Sequence, residues 1–211
     1  MTVHSHVLRD VDFGVGFAHD AAALNAIGEP DLKAVIWLRQ PLPSFQDWME
    51  SLDPARLPAA RVILRPDNAR YAVMQACDSA GTPDCPERNR FIDDVAALSE
   101  IFSHLMETPY LRLRLDVVSS DACRKFHIDA VTARLVCTYR GPGTQYGMAA
   151  EHAAPAEICS VPACSPFLMR GTRWPGSGSS RLVHRSPPIE GTGKTRLLLV
   201  LDPVSDRRGE A

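Results

Sequence analysis

The sequence predicts an α+β fold, with helices in the N-terminal half packed against a β-rich core in the C-terminal half. Three observations point there. The segment from Pro86 to Met106 repeats apolar residues at helical spacing. Leu111–Val117 then switches to strict alternation of apolar and charged residues. Short apolar runs separated by Gly and Pro turns fill most of the chain beyond Val117, the mark of a sandwich, jelly roll or barrel. At 211 residues and 45% hydrophobic composition, the chain can bury one core. A single domain is therefore expected over 31–204, with the helical cover at 31–110 and the β core at 111–204. Residues 1–30 read as a loosely structured arm and 205–211 as a flexible tail.

Taken in order, Ala34–Leu38 is a short apolar run suited to a buried strand. After Pro41-Leu-Pro, Ser44 is the candidate cap of a helix whose Phe45, Trp48, Met49 and Leu52 share a face, ended by Pro54 and Pro58. Val62–Leu64 is a second short strand. Phe91, Val95, Leu98, Phe102 and Leu105 form the inward stripe of the long helix, with Asp93, Asp94 and Glu100 facing away. Beyond Leu111–Val117, strands are expected at Lys125–Val131, Ala133–Tyr139, Ala156–Val161, Pro166–Met169, Arg181–His184 and Thr195–Leu201. Gly141-Pro-Gly-Thr-Gln-Tyr146 reads as a tight turn or as the lip of a site. Gly191-Thr-Gly-Lys-Thr195 reads as a hairpin turn between the last two strands. It is no phosphate loop, because Pro188 stands where that motif needs glycine and no long helix comes after it.

A formal net charge of −2 leaves no basic footprint for nucleic acid. No run approaches the roughly 20 apolar residues of a membrane span, and the first residues lack the pattern of a secretory signal. A cytoplasmic location is expected, where disulfides are uncommon. Cys123 and Cys137 then read as small buried residues. Cys77/Cys85 and Cys159/Cys164 lack the spacing of a zinc ribbon or redox pair, leaving them structural thiols or, alternatively, a second metal or redox site.

The chemistry lies in His127-Ile-Asp129, in His184 far downstream, and in Arg196. In a strand, residues two apart share a face, so His127 and Asp129 can aim at one point. A second imidazole from another strand completes a two-His, one-carboxylate triad of the kind that holds non-haem iron and leaves coordination positions open. Imidazole and carboxylate also accept Zn, Mn, Ni or Co. The bland alternative is a buried histidine hydrogen-bonded to an aspartate. Arg196, at the head of an apolar strand, can clamp a carboxylate-bearing co-substrate, a role Arg181, Arg185 or Lys194 could also fill. His152 is an exposed residue or an extra ligand, His4 and His6 lie in the terminal arm, and His19 and His104 are solvent or core-edge residues.

His127-x-Asp129, His184 and Arg196, spread over short strands, resemble the pattern of the Fe(II)/2-oxoglutarate-dependent dioxygenases. That resemblance implies a double-stranded β-helix (jelly-roll) core, His127, Asp129 and His184 as iron ligands, and Arg196 on the distal carboxylate of 2-oxoglutarate. Tyr139 or Thr138 would add a hydrogen bond to the acid. The implied cofactors are Fe(II) and 2-oxoglutarate, with zinc a possible occupant, and the substrate is an unspecified small molecule or protein. Lys125-Phe-His-Ile-Asp129, Arg134–Thr144 and Val183–Pro188 also resemble an uncharacterised bacterial family often encoded near zinc-homeostasis genes. That implies the alternative of a non-catalytic zinc-binding accessory or sensor protein.

Overall fold

The computed structural model describes residues 8–10, 13–149, 154–176 and 181–206. Its strands are β1 (Leu8–Asp10), β2 (Val15–Ala18), β3 (Ala34–Trp37), β4 (Ala60–Leu64), β5 (Tyr110–Val118), β6 (Ala133–Arg140), β7 (Gln145–Met148), β8 (Cys159–Ser160), β9 (Phe167–Arg170), β10 (Leu182–Arg185) and β11 (Arg196–Val204). Its α-helices are α1 (Pro43–Ser51), α2 (Ala69–Ala80) and α3 (Pro86–Leu105). Eight strands form one sheet in the order β1-β2-β3-β9-β6-β11-β5-β4, antiparallel except for the β2/β3 pair. The other three form a small sheet, β10-β7-β8.

Side-chain alternation sorts the large sheet into two faces. Leu135, Cys137 and Tyr139 of β6, with Leu197, Leu199 and Leu201 of β11, join the α3 stripe Phe91, Val95, Leu98 and Phe102 in one apolar core. Each such side chain stabilises the fold by about 1.5–3 kcal/mol on burial. On the opposite face, Val136, Phe167, Met169, Leu198 and Val200 pack with Tyr146 and Leu182 of the small sheet in a second core. The architecture is thus helices, large sheet, small sheet. Arg134, Val136 and Thr138 of β6 and Arg196, Leu198, Val200 and Asp202 of β11 look into the space between the sheets, while past a register shift at Leu197/Leu198 Arg140 turns to the helical side and donates to the Leu52 carbonyl.

Several elements differ from expectation. The expected N-terminal arm instead supplies β1, β2 and a 3₁₀ turn at Ala22–Gly28. Val15 and Leu24 within it are fully buried. The run Ala69–Ala80 is a helix whose buried stripe consists largely of small residues, Ala69, Val73, Ala76 and Cys77, and Gly81 ends it at φ 65°. α1 begins at Pro43, with Leu42 rather than Ser44 at its cap, because proline's missing N–H costs nothing in a first turn. Asp94 does not face away: Arg39 grips it with two hydrogen bonds of 2.6 and 2.9 Å. Gly191–Thr195 is a turn with positive φ at both glycines, but not a hairpin, since β10 and β11 lie in different sheets. Cys123 is exposed, and all six cysteines are unpaired. Of the expected strand Ala156–Val161 only Cys159–Ser160 is extended into a ladder. Among the described residues no helix is long and apolar enough to cross a membrane. Residues 207–211 of the expected tail, and His4, His6 and His152, lie outside the described residues.

Candidate metal centre

His127 and His184 meet because their backbones do. Each N–H donates to the other's carbonyl at 3.0 Å, a one-residue antiparallel bridge on the free edge of β10. In a directly opposed pair the two side chains leave on the same side, and the imidazole centroids lie 4.5 Å apart. The expected strand Lys125–Val131 is therefore a connection that touches β10 at one residue and then crosses to the large sheet. There the N–H groups of Gly171, Thr172 and Arg173 donate to the carbonyls of Thr132, Asp129 and Val131 at 2.8, 2.9 and 3.1 Å. One end of the segment is tied to the small sheet and the other to the tip of β9. Asp129 is held between them.

The candidate ligand atoms of His127, Asp129 and His184 all lie within 4.8 Å of one another. His127 Nδ1 sits 2.9 Å from the Lys125 carbonyl, which can only accept, so in the neutral ring Nδ1 carries the proton and Nε2 presents its lone pair. Asp129 Oδ1 accepts a hydrogen bond from Arg134 Nη1. Among the described residues Oδ2 is buried without a hydrogen bond, although His184 Nε2 stands 3.1 Å away. An unpaired buried carboxylate oxygen costs about 1–3 kcal/mol or more unless a cation meets it. Burial opposes the charge on Asp129, but His127, His184 and Arg134 outweigh it and hold the carboxyl well below the usual carboxylate range. The same contact with Asp129 raises His127 above an ordinary histidine. Two imidazoles and one ionised carboxylate, whose Oδ2 is left without a hydrogen bond among the described residues, suit a divalent cation.

Arg196, predicted as an anion clamp, opens β11 on the same side of the sheet and is only 1% exposed. Its Nε donates to the Pro142 carbonyl at 2.7 Å, Nη1 to Ser186 Oγ at 3.2 Å, and Nη2 to Thr138 Oγ1 at 3.2 Å and Thr144 Oγ1 at 3.5 Å. All four acceptors are neutral. Burial pulls this guanidinium down to about 10, with no carboxylate opposing the shift. Ser186 is two residues beyond His184, roughly 7 Å along an extended chain. Two of the other three candidates are engaged elsewhere. Arg185 stacks 4.4 Å over Phe126 and binds Gln145, Arg181 binds the Ala149 carbonyl, and Lys194 is exposed. Gly141–Tyr146 is both turn and site wall, since it carries two of the Arg196 partners.

Tyr139 is not in this group. Its odd position on β6 sends it to the helical side, between Phe45 and Phe91, where its hydroxyl donates to Asp94 at 2.6 Å. It lines a cavity of about 510 Å³ with Arg39, Leu42 and Phe45, across the large sheet from the triad. The neighbour that does share the site is Thr138. Sequence reasoning missed Arg134, Asp202, Ser186 and Thr144. Arg134 and Asp202 did leave a signal, as charges at even positions of largely apolar strands, in phase with Thr138 and Arg196.

Gly171 sets how closely the Asp129 segment can lie against β9. A Cβ there would stand 1.9 Å from the Val131 carbonyl oxygen and 2.8 Å from that of Asp129, both backbone atoms that cannot yield without moving the segment. Gly171→Ala is expected to destabilise the metal-free protein by about 1–3 kcal/mol and to weaken divalent-ion binding as well. Urea unfolding and a Co(II) titration of the same variant check both effects.

No curated protein matches the chain in sequence. Among solved structures, dioxygenase for auxin oxidation 1 from Arabidopsis thaliana, in complex with 2-oxoglutarate, is similar over 90% of both chains at 10% identity, with a TM-score of 0.54. That likeness shows a shared fold. The auxin-oxidation dioxygenase of rice is similar over 87% of this chain and 76% of its own at 15% identity, with a TM-score of 0.47. A Pseudomonas putida prolyl-4-hydroxylase is similar over 87% and 92% at 13% identity, with a TM-score of 0.42. The family described as "Protein of unknown function (DUF1826)" matches residues 18–202, which take in all three triad residues and Arg196. The chain therefore belongs to that family.

Proposed function

We propose that this protein is an Fe(II)- and 2-oxoglutarate-dependent oxygenase, with a double-stranded β-helix core formed by its two facing sheets. The observation that carries the reading is a buried guanidinium without an anionic partner among the described residues, linked through Ser186 to a cluster of two histidines and an aspartate. Burying an unpaired charge costs several kcal/mol, and a carboxylate arriving at Arg196 would remove that penalty. A dicarboxylic acid long enough to reach from Arg196 to the triad fits the pair. The fold shared with a structure solved in complex with 2-oxoglutarate supports the same identity for the acid.

In this reading His127 Nε2, His184 Nε2 and an Asp129 oxygen hold the metal. Bound Fe(II), with 2-oxoglutarate and O₂, supplies oxidation of a C–H bond coupled to loss of CO₂ from the acid. The chain's own residues bind and orient. The His127–His184 backbone bridge fixes two ligands, and the crossing segment supplies the third. Thr138, Thr144, Ser186 and the Pro142 carbonyl preset Arg196 for the distal carboxylate.

Adding 2-oxoglutarate to the Fe(II)-loaded protein without oxygen is expected to produce a weak visible charge-transfer band. Admitting O₂ should then yield succinate. No band and no succinate from protein that binds Fe(II) would reject the oxygenase. If such protein also binds zinc tightly and never decarboxylates the acid, its role is that of a metal-binding accessory or sensor protein.

A further inference from the structure

Behind the triad lies a run of alternating charges, most of which would not touch a metal held there. It crosses three strands on the face of the large sheet that looks toward the small one. Arg134 of β6 donates Nη1 to Asp129 Oδ1, while its Nε and Nη2 grip the two oxygens of Asp202 at 2.6 and 2.9 Å. Asp202 of β11 is 2% exposed, and Arg114 of β5 stands 3.8 Å from its Oδ2. Arg114 in turn approaches Asp116 at 3.5 Å. The order is Asp129, Arg134, Asp202, Arg114, Asp116. Strand registry holds it in place: Leu201 pairs with Leu135 on one side and Asp202 with Arg112 on the other.

We infer that Arg134, locked by Asp202, is the positioning residue of the metal-binding carboxylate. It holds Asp129 Oδ1 and leaves Oδ2 as the single ligating oxygen. This rests on the proposed metal site and adds the device that sets the denticity of its carboxylate. A guanidinium has a rigid planar fork, so two hydrogen bonds to Asp202 fix the direction of the third N–H, and Asp129 Oδ1 lies on it. With Oδ1 engaged, a half-turn of the carboxylate would break a charge-assisted bond in a partly dry site. The oxygen left over is Oδ2, buried, without a hydrogen bond, and nearest His184 Nε2. A carboxylate free to chelate through both oxygens would fill a further coordination position, and this chemistry needs open ones. Residues that hold a metal ligand in this way commonly set affinity by 10- to 100-fold.

The test uses the full chain and Co(II) alone, whose visible bands report the coordination shell. Arg134→Met is expected to weaken Co(II) binding about 10- to 100-fold and to change the shape of its visible spectrum. Arg134→Lys should recover only part of both, because a point charge cannot hold Asp202 and Asp129 at once. Asp202→Asn, which loosens the far side of the fork, should move the same bands in the same direction. Arg134→Met leaves the buried Asp202 with only the more distant Arg114 facing it among the charges of this run, so the double variant Arg134→Met/Asp202→Asn is the second arm, removing both charges. A metal-free variant that melts cooperatively and binds Co(II) with wild-type affinity and spectrum overturns the inference. Wild-type protein that binds no Co(II), Mn(II) or Fe(II) overturns the metal site itself, a different result from the same titration.

Discussion

Asp129→Asn is expected to abolish the thermal stabilisation that divalent ions confer on the wild-type chain. A ligand present at a hundredfold excess over its Kd stabilises the folded state by about 2.7 kcal/mol, roughly 5–11 °C for a protein of this size. Asparagine keeps the volume of the side chain, and its amide oxygen can still accept from Arg134. It lacks the negative charge that offsets the ion's desolvation, and its nitrogen would stand where an unpaired oxygen now faces His184. The metal-free variant should therefore melt close to wild type while the metal-dependent shift disappears. His127→Ala and His184→Ala should lose the shift equally, since each removes one of three donors that lie within 4.8 Å of one another. A variant of Asp129 that still gains several degrees with Mn(II) or Co(II) would place the ion elsewhere.

The chemical types of this site were readable because they are discrete. Two histidines, an aspartate and an arginine at the head of an apolar strand are visible whatever the backbone does, and the structure brings all four to one side of the sheet. Strand alternation, though, is not what makes them converge. His127 and Asp129 come together because their segment is tied to β10 at one end and to the tip of β9 at the other, a crossing with no sequence period at all. Periodicity served where elements are long. The alternation of Leu111–Val117 and the Phe91–Phe102 stripe were plain. It failed where they are short or built from small residues, as in β2 and in α2, with its stripe of Ala69, Val73 and Ala76. Tyr139 illustrates a rule available but unused. Once Arg196 and Thr138 are placed on one face, strand parity sends Tyr139 to the other. The same parity selects Arg134 and Asp202.

Arg196→Met should remove 2-oxoglutarate binding while leaving Co(II) binding intact, which separates the two halves of the site. Among the described residues the guanidinium touches only neutral acceptors: the Pro142 carbonyl and the hydroxyls of Ser186, Thr138 and Thr144. Those bonds orient the side chain without neutralising it, and burial already pulls the group down to about 10. An incoming carboxylate would gain both hydrogen bonds and charge compensation. Removing the cation from such a buried pair costs about 2–5 kcal/mol, or roughly 30- to 4000-fold in Kd. Arg196→Lys should fall between, because an ammonium keeps the charge but loses the two-pronged fit. Calorimetry with 2-oxoglutarate on the anaerobic Mn(II)-loaded protein reads the effect directly. Glutarate, which keeps both carboxylates but lacks the chelating keto group, serves as the control and should lose affinity in step with Arg196. Wild-type affinity for 2-oxoglutarate in Arg196→Met would mean that the anion is held elsewhere. The buried guanidinium would then be a structural tie between β11 and the Pro142–Thr144 turn, and the case for this co-substrate would lose its main support.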